Sequence, residues 1–192
     1  MGRLYLGLDK GEFGGGLLLI DAESGAIKKL ESRASDGLCV GPLNSECNPV
    51  TAVIRDPFDP GCVLASIGLL HMAMEEGRVL QVCGEEVKVV LSRLAPIDDE
   101  TAAGYRRRGV ELPTEAVFGL AAGDNRYWAV TPHALYAVTS DQPEHRYELP
   151  EARKTKSLFL SKDTPGVVLV WTTLNWQFSV SGWTPLLAAT VR

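Results

Sequence analysis

Short apolar runs, some of them alternating and most bounded by Gly, Pro, Asp, Asn or Ser, follow one another along nearly the whole 192-residue chain. This syntax constrains the fold more than any other feature. Such runs are too short for helices, which need ~10 residues or more, and they fit strands in antiparallel meanders. "RLYLGLD" (3–9), "GLLLID" (16–21) and "AIKKLES" (26–32) open the series. The tetrapeptide "AESG" (22–25) turns the second into the third, with Gly25 suited to a positive φ. A second set is "VTAVIRD" (50–56), "CVLASIG" (62–68), "RVLQVCG" (78–84) and "EVKVVLS" (86–92). A third is "AVFGLAAG" (116–123), "RYWAVTP" (126–132), "ALYAVTS" (134–140) and "HRYELP" (145–150). A fourth is "SLFLSKD" (157–163), "GVVLVWTT" (166–173), "WQFSVSG" (176–182) and "PLLAATVR" (185–192).

An isolated meander leaves a face uncovered, so repeated meanders must stack on one another. The strand and turn pattern resembles that of β-propeller repeat proteins, without the Gly-His and Trp-Asp signatures of WD40 repeats. The resemblance implies an all-β fold of about four antiparallel blades, at 3–32, 50–93, 115–150 and 156–192, in a single domain. Residues 33–49 and 94–114 are then inserted loops. The first unit offers three strands and lacks its leading, inner one. Two arrangements satisfy the pattern: a closed four-bladed propeller, or a partial propeller missing N-terminal blades. The partial form exposes a sheet face and predicts self-association.

Local chemistry adds detail. "KGEFGGG" (10–16) matches neither G-x-G-x-x-G nor G-x-x-x-x-G-K-[ST], and a strand follows it, so it reads as a hairpin corner and not a phosphate cradle. In the 94–114 insert, Asp98 is suited to cap a short helix. Asp99 and Glu100 would lie in its first turn, Arg106 to Arg108 in its last, and Gly109 beyond. The Arg triplet reads as a solvated helix end in preference to an anion site. "LASIGLLHMAMEEG" (64–77) is rich in helix formers, and we expect a strand ending near Gly68, then a loop with one helical turn around Leu70 to Glu76. Cys62 and Cys83 fall on neighbouring strands, as buried thiols or as a disulfide. Cys39 and Cys47 share one loop and would close a small ring under oxidising conditions. Thiols left reduced would fit the cytoplasm.

Composition narrows the function classes. The formal net charge of −5 argues against a sequence-independent nucleic-acid binder, and no apolar stretch reaches the ~18 residues that span a bilayer. The three histidines His71, His133 and His145 give little material for a multi-histidine metal site, and no catalytic constellation is visible. The adjacent pairs Glu75-Glu76, Glu85-Glu86 and Asp98-Asp99 point to opposite faces if they lie on strands, which unfits them for joint acid–base work. In up-and-down blades the loops joining second to third strands share one end. Those loops, 9–15, 69–77, 131–133 and 173–177, gather Asp9, Lys10, Glu12, His71, His133 and Asn175 as candidate binding residues. The leading expectation is a non-enzymatic binding or sensory module for a small molecule or a protein, with no cofactor. The alternatives are a metal-assisted propeller enzyme, lactonase-like hydrolase or lyase, with calcium or zinc on Asp9, Glu12, His71 and Asn175, or a structural fragment whose missing blades hold the site.

Overall fold

The computed structural model describes residues 2–33, 39–72, 74–123, 125–149, 158–162, 167–173 and 183–190. These form four antiparallel sheets, none of them closed, and one helix. β1 (Arg3–Asp9), β2 (Gly15–Asp21) and β3 (Ile27–Leu30) make the first sheet. β4 (Val50–Arg55), β5 (Val63–His71), β6 (Met74–Cys83) and β7 (Glu86–Leu91) make the second. After the helix α1 (Asp99–Arg107) come β8 (Gly119–Ala122), β9 (Arg126–Val130), β10 (Ala134–Thr139) and β11 (His145–Glu148). β12 (Leu158–Ser161), β13 (Val167–Thr173) and β14 (Trp183–Thr190) form the last sheet. Strands neighbour one another in chain order within every sheet, as meanders require.

The sheets stack because successive residues on a strand face opposite sides. Leu64 on β5 packs with Tyr127 and Tyr136 between the second and third sheets, whereas its neighbour Ala65 packs with Leu17, Val50 and Leu80 between the first and second. On β9 and β10 the same division sends Tyr127 and Tyr136 one way and Trp128 and Leu135 the other, onto Leu158, Val168 and Val170 of the last sheet. Central sheets buried on both faces therefore read as continuous apolar runs. Each fully buried Leu or Val contributes roughly 1.5–3 kcal/mol.

Turn chemistry follows the sequence. Residues Gly11–Phe13 form one 3-10 turn, and Gly14, Gly15 and Gly16 all take positive φ behind it, so "KGEFGGG" is a hairpin corner. Asp98 caps α1, its carboxylate accepting from the Thr101 amide at 2.7 Å, and Gly109 follows with φ 65°. Arg106 to Arg108 are exposed, and Arg108 lies over the Tyr105 ring.

Two expectations are corrected, and the alternative left open for the cysteines is decided. The loop and helical turn at 69–77 are instead the tip of a long hairpin. β5 runs on to His71, which pairs with Met74, and Met72 takes φ 54°. Gly68 and Gly77 are cross-strand partners inside that hairpin. In the last sheet, 185–192 does not supply a fourth strand. β14 pairs directly with β13, in third position, and 176–182 lies outside the described residues. Both cysteine pairs are joined, Cys39 to Cys47 and Cys62 to Cys83, the latter across the open end of the β5–β6 hairpin.

Candidate binding site at one end of the sheets

The direction of β1 decides which loops meet. Near its start, the Tyr5 hydroxyl accepts from the Gly84 amide (3.0 Å) in the β6–β7 turn. Beyond its other end, the Gly15 and Gly16 amides donate to the Ser45 and Asn48 carbonyls, just before β4 begins. β1 therefore runs opposite to β4. The chain entering β8 lies at the start of β4, where the Thr51 hydroxyl donates to the Val117 carbonyl at 2.6 Å. The β1–β2 corner, the β5–β6 tip and the β9–β10 turn consequently share one end.

Two imidazole–carboxylate pairs stitch that end together. His71 Nε2 lies 2.6 Å from the Glu12 carboxylate, joining the first sheet to the second. His133 Nε2 lies 3.1 and 3.0 Å from the two Glu75 oxygens, joining the second to the third. Glu75 Oε1 also accepts from the Ala116 amide at 3.0 Å. Of the sequence candidates, Glu12, His71 and His133 thus sit in this chain of contacts. Asp9 and Lys10 shape the corner: Asp9 Oδ1 accepts from the Gly11 amide and the Lys10 amide donates to the Gly14 carbonyl. Asn175 lies outside the described residues.

Behind the rim, polar side chains brace the loops. Glu115, 4% exposed, accepts from Thr131 Oγ1 (2.7 Å) and from the Tyr136 hydroxyl (2.9 Å). Burial pushes the Tyr136 phenol up to about 12, opposed by the Arg146 hydrogen bond and reinforced by Glu115, so it stays a donor at neutral pH. Glu76 pairs with Arg78, whose guanidinium also donates to the Asn48 side chain and to the Pro42 and Gly41 carbonyls. Those bonds pin the disulfide-closed loop containing Cys47 against β6. Glu31 reaches the same loop through Ser45. Burial alone would raise its carboxyl, but hydrogen bonds from Arg33, Ser45 and Lys29 outweigh it and hold the group at about 2.

Between the β5–β6 tip, the loop at Cys39 and the segment after α1 lies a groove of about 440 Å³. Its lining includes three carboxylate residues, Glu75, Glu76 and Glu111, and one cation, Arg78, which is engaged with Glu76 and the loop carbonyls. Leu69, Met74, Val110 and Tyr105 give it apolar walls. The sequence signalled this groove only indirectly, through Glu75-Glu76 on a strand: the two carboxylates diverge, one to His133 and one to Arg78. Elsewhere, Asp59 comes within 4.8 Å of the Cys62 and Cys83 sulfurs, but those sulfurs are bonded to each other. Among the described residues no helix is long and apolar enough to cross a membrane.

No family model and no curated protein matches the chain. Among solved structures it is similar to the GH74 xyloglucanase from Xanthomonas campestris, at 17% identity and a TM-score of 0.40. The match covers 83% of this chain and 23% of that one, so the chain spans under a quarter of that enzyme's length.

Proposed function

We propose that the four sheets are consecutive blades of a β-propeller, and that the chain is a non-enzymatic binding module that takes a cationic group into the groove beside the β5–β6 tip. The blade reading is supported by the succession of leading strands, β4 beside β8 and β8 beside β12, and by cores that alternate from sheet to sheet. The observation that carries the binding reading is the groove lining: Glu75 held by His133, Glu76 paired with Arg78, and an exposed Glu111, with aliphatic walls and a tyrosine. A lysine or arginine side chain on a protein segment, or an amine with an apolar stem, complements that lining in charge and shape. The two disulfides fit an oxidising compartment better than the cytoplasm.

The test is titration of a lysine- and arginine-containing peptide library by fluorescence anisotropy. Binding is expected to weaken as salt rises, since partly exposed charge pairs are screened. Glu111 is exposed, so Glu111→Lys should cost affinity roughly tenfold or more while leaving the unfolding midpoint unchanged. A binder indifferent to Glu111→Lys, or a library without a binder, contradicts the reading. Stoichiometric calcium or zinc in the purified protein would favour the metal-assisted alternative.

A further inference from the structure

The Cys39–Cys47 bond joins a fixed residue to a loosely held one. Cys47 is 8% exposed and its amide donates to the Asn44 carbonyl. The chain around it is gripped from two sides: Leu43 and Ser32 exchange backbone hydrogen bonds, and Arg78 donates to the Gly41 and Pro42 carbonyls. Cys39 is exposed and lines the groove. Among the described residues neither Cys39 nor Val40 makes a hydrogen bond, so the bond to Cys47 is what keeps Cys39 in the groove wall. Cys39 also holds φ 61°, in the left-handed region that a residue with a Cβ avoids. Once the sulfurs part, Cys39 is free to leave that conformation, and the wall with it, while 41–48 stays anchored.

The Cys62–Cys83 bond has different surroundings. Cys62 is 5% exposed, and the Asp59 carboxylate lies within 4.8 Å of both sulfurs, where it repels an incoming thiolate. We propose that Cys39–Cys47 is a redox switch on the groove, opened by an external dithiol while Cys62–Cys83 stays closed; the inference rests on the groove being the binding site. One thiolate of the dithiol attacks Sγ of the exposed Cys39. The S–S bond breaks with its electron pair leaving on Cys47 Sγ, which takes up a proton. The second thiolate of the dithiol then attacks the mixed disulfide and releases Cys39, which is protonated in turn. The two cysteines gain two electrons and two protons, and the dithiol ends as a disulfide. Binding must then order the freed wall, which costs affinity.

Two measurements on the full chain test this. In the first, the protein is equilibrated in mixtures of reduced and oxidised dithiothreitol, free thiols are alkylated, and the sites are read by mass spectrometry. Cys39 and Cys47 should be alkylated at mixtures that leave Cys62 and Cys83 bonded. In the second, fluorescence anisotropy follows a labelled lysine-containing peptide from the library across the same mixtures. Affinity should fall roughly tenfold or more as Cys39–Cys47 opens. Cys39→Ser/Cys47→Ser should bind as weakly as the opened wild type and should not respond to the dithiol over that range. Joint opening of both bonds overturns the proposal, and so does opening of Cys62–Cys83 first. A peptide bound equally well with Cys39–Cys47 open and closed also overturns it, and leaves the groove reading standing. A library with no binder removes the groove reading and the switch with it, whatever the order of alkylation.

Discussion

Replacing Gly77 by valine is expected to destabilise the protein by about 3 kcal/mol or more, at the upper end of what overpacking usually costs. A Cβ at this position would lie 2.2 Å from the Glu115 carbonyl oxygen, 2.5 Å from the Ala116 Cα and 2.7 Å from the Val117 nitrogen. Its cross-strand partner Gly68 is equally confined, 2.4 Å from the Val117 carbonyl oxygen. The two glycines together leave a bare strip on the β5–β6 hairpin, and the segment 114–117 runs over it. That segment is held by the Gly77 amide donating to Thr114 Oγ1 (2.9 Å) and the Val117 amide donating to the Ile67 carbonyl (3.0 Å). Backbone cannot yield as the tip of a long side chain can, so the cost falls on the junction between the second and third sheets. Urea unfolding measures the loss. Gly104→Ala is the control: its new methyl meets nothing closer than Arg107 at 3.9 Å, and in a helix it should add about 0.5–1 kcal/mol. A Gly77→Val protein as stable as the wild type would mean that 114–117 does not cross the hairpin there.

The second large effect concerns the bond between Cys62 and Cys83. It ties together two ends of the β5–β6 hairpin 21 residues apart in sequence, at the end away from the groove. Closing a loop of that length limits the unfolded chain and contributes about 3 kcal/mol. The variant Cys62→Ala/Cys83→Ala should lose that amount in urea unfolding, and a reducing agent should bring the wild type down toward it. Because the Cys39–Cys47 bond is also reduced, the wild type under reductant should fall somewhat below the oxidised double variant. Equal midpoints for the wild type with and without reductant, and for the double variant, would contradict both bonds.

What could be read in the chain is what depends on near neighbours. The "AESG" turn, the Asp98 cap with Gly109 beyond α1, and the glycine corner at 14–16 are each settled within a few residues. Meander order followed from the runs themselves, because consecutive short strands have few other ways to pair. The stretch Leu70 to Glu76 misled for a physical reason. Leu, Met and Glu favour helix locally, and Gly77 looks like a helix stop, whereas its true role is to admit the backbone of 115–117, nearly forty residues on. The rim shows the same division. Topology predicted that the loops carrying Glu12, His71 and His133 would share an end. It could not say that His133 would meet Glu75, 58 residues away, in place of His71. The groove depended further on where α1 and the Cys39–Cys47 loop settle, which no local pattern specifies.

The corners of three successive sheets meet at one end of the stack. With only three histidines in the chain, the ring protons can be assigned cleanly, and an isotope-edited NOESY spectrum reads their surroundings directly. Cross-peaks are expected from the His71 ring to the Glu12 side chain and from the His133 ring to the Glu75 side chain and the Ala116 amide. A His71 ring with no neighbour between residues 9 and 14, together with a His133 ring that sees only its own sheet, would contradict that arrangement.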